Sequence, residues 1–398
     1  MVSCDVREMN VYDRECFFLK SYRRLFVVGI LFLFSILTAC SDPGNQENPV
    51  STGVLDGDDF NAAVFYYDFS DAYVASVRSI LNNMLVKSQI TYTEFDAGSS
   101  QSMQNSQIDA AISGNANLLI VNLVDAGSSD ASDAICLKAA RRDIPVIFFN
   151  RSVEADGDEG VVLDYYDDVA FVGTNPSEAG HLQGKMIGKF LVEHFEDTDL
   201  NHDGSISYTL FKGEARNAES IYRTKYAVED ADAILEKAGH EKLEYFDAKS
   251  VDKYQLDLTG KWSLDSAKSY MMSNLSMFNA DNKNMIELVI SNNDYMALGA
   301  IEALQAVGYN LPNDTESRVI PVFGVDAIDL AKKLIEHGVM SGTVVQDAEG
   351  MAKCIDSIAN NIQEGRDMLD GTQDYMYDEV HGLHNKLYIP YAIYDSGQ

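Results

Sequence analysis

From Ala62 onward, short apolar runs alternate with longer amphipathic stretches. The short runs predict strands over Ala62–Tyr67, Ile90–Phe95, Asn117–Val121, Pro145–Phe149, Val169–Val172, Ile206–Phe211, Leu243–Phe246, Ile286–Ile290, Val319–Val325 and Gly342–Val345. Helical patterns such as Tyr73–Val86, Ala179–Glu193, Ala218–Ala238 and Tyr295–Ala306 separate most of them. Strands that alternate with helices predict parallel sheets covered on both faces. Ten strands are too many for one small sheet of this type, so the chain is read as α/β with two doubly wound domains.

The first residues follow a different pattern. Lys20, Arg23 and Arg24 precede an apolar run from Leu25 to Leu37, too short for a confident membrane span and arranged like a signal peptide. The run ends in Leu37-Thr38-Ala39-Cys40, which resembles a bacterial lipobox, in which Cys40 would take the lipid and become the first mature residue. Residues 1–39 are therefore expected to be a leader, with an uncleaved anchor helix as the other reading. Residues 40–57, rich in Ser, Asp, Gly, Asn and Pro, read as a tether. Cys136 and Cys354 both sit in helical patterns and are expected to be buried thiols rather than a disulfide. The chain of 398 residues carries a formal net charge of -32, a surface that repels nucleic acid and anionic lipid.

Several strands run directly into polar residues. Phe65-Tyr66-Tyr67 leads to Asp68 and Asp71, Ile120-Val121 to Asn122, Val289-Ile290 to Asn292, Asn293 and Asp294, and Gly324-Val325 to Asp326. In open α/β sheets, ligands bind outside the carboxyl ends of strands, where Asp, Asn and Arg suit adjacent hydroxyls. Each residue alone would also serve as a helix N-cap. Four such ends in one chain favour a polar ligand site. Nucleophile-elbow, Walker A and dinucleotide glycine motifs are absent, and the seven His residues fall singly.

A separate signal spans Asp199 to Ser207. Oxygen side chains of Asp199, Asn201, Asp203, Ser205 and Ser207 occupy loop positions 1, 3, 5, 7 and 9, with Gly204 at 6, as in an EF-hand calcium loop. Position 12, which carries a bidentate Glu in an EF-hand, is Leu210.

This loop, together with Ile120-Val121-Asn122-Leu123-Val124-Asp125, Pro145-Val146-Ile147-Phe148-Phe149-Asn150, Val172-Gly173-Thr174 and Pro321-Val322-Phe323-Gly324-Val325-Asp326-Ala327, resembles the periplasmic galactose/glucose-binding protein family over about 62–391. The resemblance implies two α/β lobes joined by three crossings that close on a sugar. One lobe would hold 58–148 and 346–388, and the other 149–345 and 389–398.

On the same resemblance, Asp71 would accept from a sugar hydroxyl, Tyr73 and Trp262 would stack on the two faces of the pyranose, and Asn122, Arg223, Asn293 and Asp326 would bond its rim. Asn217, Glu219 and Gln346 stand where the family has His, Asp and Asn, so they remain polar but put the preferred sugar in question. Glu287 would close the calcium loop from another strand, giving a structural Ca2+ held by Asp199, Asn201, Asp203, the Ser205 carbonyl and Glu287. Ser207 is a further candidate ligand, shorter than the family's amide there.

The implied function is a lipid-anchored, extracytoplasmic, monomeric receptor that captures D-glucose or D-galactose without acting on it and delivers it to an ABC sugar permease. A chemoreceptor or sensor kinase is the alternative recipient. Two rival readings are a surface glycosidase, for which Asp71 and Glu219 mimic a carboxyl pair, and a repressor's effector domain. The latter is disfavoured by the export signal, the acidic charge and the lack of a helix-turn-helix segment.

Overall fold

A computed structural model describes residues 60–282, 284–312 and 317–395 and the backbone of a two-residue strand, Val50–Ser51. All of them fall in one compact unit. The leader, most of the tether and Cys40 lie outside the described residues.

The chain builds two sheets. The first runs in the order β1 (Val50–Ser51), β3 (Thr91–Asp96), β2 (Asn61–Tyr66), β4 (Leu118–Val121), β5 (Val146–Phe149), β6 (Val169–Gly173), β14 (Leu383–Tyr388) and β13 (Met376–Asp378). Every pairing between β3 and β14 is parallel, and the two outer pairings are antiparallel. In the second sheet the order is β15 (Tyr391–Asp395), β12 (Gly342–Gln346), β11 (Val322–Asp326), β10 (Leu288–Ser291), β7 (Ser207–Lys212) and β8 (Glu244–Tyr245), with β9 (Gln255–Leu256) beside β7. There only the β12–β15 pair is antiparallel.

Alternation along the first sheet divides its core cleanly. Val64, Tyr66, Ile120 and Phe149 face one way, onto α1 (Ala72–Lys87) and α10 (Ala348–Gln363). Ala63, Phe65, Val121 and Phe148 face the other way, onto α2 (Gln101–Ser113) and α3 (Ser129–Ala140). Cys354 and Cys136 lie in these two opposite layers as free, buried thiols, so the sheet itself separates them. A third core fills the second lobe, packed by α4 (Pro176–Glu193), α6 (Ala218–Ala238), α7 (Leu264–Met277) and α8 (Asp294–Ala306). The short helix α5 (Phe195–Thr198) leads into the loop at Asp199, and α9 (Asp329–Glu336) connects β11 to β12. No described helix is long and apolar enough to cross a membrane.

The ten expected strands are all present, some shifted by one to three residues. Two lobe boundaries are corrected: Gln346, expected to open the returning segment of the first lobe, ends β12 of the second sheet, and the first crossing lies later than expected. The strand over Val169–Val172 was expected in the second lobe, but it pairs with β5 in the first, through Phe149↔Val172. The chain therefore first crosses after Gly173 rather than at 148. The second crossing follows Gln346, and the third runs from Tyr388 to Tyr391. The late strands β13, β14 and β15 went unrecognised because Leu383-His384-Asn385-Lys386-Leu387-Tyr388 is half polar and Tyr391–Asp395 is a partly exposed edge.

Candidate functional site

The carboxyl ends of strands from both sheets meet at one pocket. Its wall is made by Tyr67, Asp71, Tyr73, Asn150 and Arg151 of the first lobe and Asn217, Glu219, Arg223, Trp262, Asn293, Asp326 and Gln346 of the second. Nine of the ten expected ligand residues are among them.

Three of these residues cap helices as well. Asp71 Oδ1 accepts from Val74 N at 2.8 Å at the start of α1. Asn217 caps α6 through Ser220 N, and Asn293 caps α8 through Met296 N at 2.9 Å. The capping and ligand readings are therefore compatible, since the cap bond fixes the side chain at the pocket wall. The second Asp71 oxygen accepts from the Tyr67 hydroxyl at 2.6 Å.

Arg223 lies at the centre of the polar wall and is almost fully buried. It donates to Glu219 (Nε to Oε2, 3.2 Å), the Asn292 carbonyl (2.8 Å), Gln346 Oε1 (3.1 Å) and the Tyr391 hydroxyl (2.8 Å). Its guanidinium lies 3.8 Å from Asp326. Glu219 also accepts from the hydroxyls of Thr174 and Tyr391. With both oxygens held, Glu219 is poorly placed to pair with Asp71 as a hydrolytic acid. Burial raises the Asp326 carboxyl well above its usual range, and Arg223 opposes that rise. Gln346 Nε2 is buried with no partner, a donor left over for whatever enters the pocket.

Four of the ten described non-glycine residues with positive φ lie in or beside the pocket. Asn150, Trp262, Asp326 and Ala327 all have positive φ, at 61°, 56°, 119° and 55°. Such conformations persist where the surroundings over-determine them, typically at binding sites. Gly213 explains part of this, because a Cβ there would lie 2.2 Å from the Trp262 ring. Glycine thus leaves the space in which the indole lies against the strand end.

Asn122 is the exception among the expected ligands. It is fully buried behind the pocket, accepting from Tyr67 N and donating to the Phe149 carbonyl and Asn150 Oδ1. Its role is to knit the ends of β2, β4 and β5. Tyr67, Asn150 and Arg151 line the pocket without having been singled out from the sequence. Arg151 lies 4.1 Å over the Tyr67 ring and donates to the carbonyls of Leu123 and Val124. The strand Pro145–Phe149 ends in Asn150-Arg151, so the strand-end rule that marked its neighbours applied here too.

The loop at Asp199–Ser207 winds as its pattern suggests. Asp199 accepts from the amides of Asp203 (3.2 Å) and Gly204 (2.9 Å), and Gly204 sits at φ 88°, where a side chain would be strained. Glu287 is fully buried and turned onto this loop, accepting from the amides of Leu200 (2.8 Å), Asn201 (3.1 Å) and Ser207 (3.0 Å). Burial raises its pKa, and the three amides oppose that rise. The Ser207 hydroxyl donates to the Met285 carbonyl, so it points away from the loop. Among the described residues no three acidic, His or Cys side chains converge as a ready metal cluster. The hard oxygen donors of Asp199, Asn201, Asp203 and Glu287 nonetheless have the chemistry calcium takes.

Two α/β lobes, three crossings and a buried polar pocket at facing strand ends define a receptor that encloses a small solute. The chain belongs to the periplasmic binding proteins: the family model for the periplasmic binding protein domain matches residues 62–367. Its architecture is the type I form, and the family binds solutes rather than catalysing reactions. The chain is 34% identical over 324 residues to the D-galactose/methyl-galactoside binding periplasmic protein MglB of Haemophilus influenzae, covering 81% of this chain and 87% of that protein. Among solved structures it is similar in fold to an ABC transporter solute binding protein from Bacillus halodurans C-125 with bound myo-inositol, at TM-score 0.61 and 23% identity, covering 86% of this chain and 96% of that one. It is likewise similar to one from Actinobacillus succinogenes 130z with bound D-allose, at TM-score 0.63 and 18% identity, covering 85% and 98%.

Proposed function

We propose that this protein is an extracytoplasmic receptor that captures a hexose, D-glucose or D-galactose, between its lobes and presents it to an ABC sugar permease. The observation that carries the reading is the pocket itself. Facing strand ends supply acceptors (Asp71, Asp326), donors (Arg223, the free Gln346 amide) and two aromatic rings (Tyr73, Trp262) from opposite lobes. A pyranose has this alternation, with apolar C–H faces for rings and equatorial hydroxyls for the polar rim. The galactoside-binding relative supports the choice of hexose. The relatives' range of ligands makes myo-inositol and D-allose the natural competitors. Lipid anchoring through Cys40 and a structural Ca2+ at the Asp199 loop belong to the same reading.

Trp262 is the chain's only tryptophan, so its fluorescence reports the pocket directly. Titration with D-glucose, D-galactose, D-allose, D-ribose and myo-inositol should give saturation with glucose or galactose at the lowest concentrations. Saturation with ribose or inositol alone would overturn the hexose assignment. Turnover of a nitrophenyl glycoside would overturn the receptor reading.

A further inference from the structure

The three segments that carry the chain between lobes meet at a single polar knot behind the pocket. Thr174 belongs to the first crossing, Gln346 to the start of the second and Tyr391 to the end of the third. The Tyr391 hydroxyl lies 2.8 Å from Glu219 Oε2, 3.1 Å from Thr174 Oγ1 and 2.8 Å from Arg223. Glu219 accepts from Thr174, and Arg223 donates to Gln346 Oε1. The backbones are joined at the same place. Ile389 N donates to the Gly173 carbonyl at 2.8 Å, and Gln346 and Tyr391 are register partners in the β12–β15 pair.

We infer that Tyr391 is a positioning residue whose hydroxyl couples the pocket residues Glu219 and Arg223 to all three crossings, so that ligand capture and lobe closure share one hydrogen-bonded unit. A tyrosine that only filled the core would need a single partner for its hydroxyl. This one touches two charged side chains that face the pocket and a hydroxyl on another crossing. Hinge rotation changes the backbone angles of a few residues at element ends. Any such change at Gly173–Thr174, Gln346–Asp347 or Ile389–Tyr391 must move a partner of the Glu219–Arg223 pair. Conversely, a ligand that fixes the pair restrains all three segments. Tyr391 touches the ligand-facing pair and does not itself line the pocket.

The inference rests on the hexose reading of the pocket. It is tested with the whole chain carrying Tyr391→Phe, with Thr174→Val as a second variant. Tyr394→Phe serves as a control: it lies on the same strand, and its hydroxyl contacts only Glu336 among the bonds described. Hexose affinity is read from Trp262 fluorescence, lobe closure from the sugar-induced fall in radius of gyration by X-ray scattering, and integrity from thermal melting. Losing a buried hydrogen bond to a charged group should weaken hexose binding roughly tenfold in Tyr391→Phe and Thr174→Val. At saturating sugar both should compact less than the wild type, even at temperatures well below their own modestly lowered melting points. Tyr394→Phe should match the wild type in all three. Wild-type affinity and full compaction in the two hinge variants would overturn the inference. So would an affinity loss with full compaction at saturating sugar, which would mark Tyr391 as structural. If Tyr391→Phe fails to fold, Thr174→Val decides alone. A wild type that answers no hexose would instead refute the proposed ligand.

Discussion

Arg223 stands between Glu219 and Asp326, and among the described residues Arg151 is the one other cation that lines the pocket. Replacing it with Met leaves two carboxylates buried without their cation. We expect Arg223→Met to lower stability by about 3–5 kcal/mol and to abolish the Trp262 response to sugar, as checked by urea unfolding and titration. Asp294, buried beneath the same strand ends, gives a pH signature. Burial pushes its carboxyl up to about 7, against hydrogen bonds from Thr343 and the Ile328 amide. A carboxyl whose folded pKa is raised favours the protonated folded form, so its contribution to stability falls as pH rises from about 4 to about 7. Sugar-free protein should therefore lose melting temperature across that window, and Asp294→Asn should lose less. An equal slope in the variant would refute the assignment. At this scale the sequence was legible where a polar residue directly follows an apolar strand. It could not tell Asn122, turned inward to tie three strands, from Asn150, turned to the pocket. That distinction depends on side-chain direction across a junction of β2, β4 and β5.

The helix α6, which carries Asn217, Glu219 and Arg223, is set in place by a stripe of glycines on α4. A Cβ at Gly180 would lie 2.4 Å from the Tyr222 carbonyl oxygen, and one at Gly184 would lie 2.5 Å from that of Tyr226. The two backbones approach too closely for any side chain there. Gly184→Ala should destabilise by about 1–3 kcal/mol through overpacking and shift Arg223, so a weakened sugar response should accompany the lower urea midpoint. The Asp199 loop makes a parallel case. If it holds calcium, adding Ca2+ after chelation should raise the melting temperature of the wild type by mass action. Glu287→Gln should largely remove that response, and an unchanged response would exclude Glu287 as a ligand. Element identity was legible for buried strands because their apolar runs are continuous. The β13–β15 segment was not, because edge strands need only a partner's backbone and leave half their side chains polar.

Across the whole molecule, the lobes are joined by polar contacts that flank the pocket. Arg151 pairs with Glu214 at 3.0 Å, Lys261 with Asp68 at 3.0 Å, Arg216 with Asp125 at 3.5 Å, and the Tyr222 hydroxyl donates to Asp156. Raising ionic strength from about 0.1 M to about 1 M cuts the Debye length from ~10 Å to ~3 Å. The exposed pairs should weaken while the sheltered Arg151 pair persists, and hexose affinity should fall by a factor of several. The double variant Lys261→Ala, Arg216→Ala should bind more weakly and show a flatter salt dependence. The two-lobed plan was legible from strand count and alternation. The first crossing was misplaced because the residues between β5 and β6 carry no signal of which sheet they rejoin. Threading the chain three times between lobes also has a consequence for biogenesis. Neither lobe is contiguous: β14 completes the first sheet and β15 the second. As the polypeptide emerges amino end first, β6 and β12 stay without their outer partners until β14 and β15 follow. Such edges invite pairing with other chains. Pairing in both sheets is therefore completed only once β14 and β15 are available, and loss of β13, β14 and β15 leaves six of the eight strands in the first sheet and six of the seven in the second, each with a newly bared edge at β6 or β12.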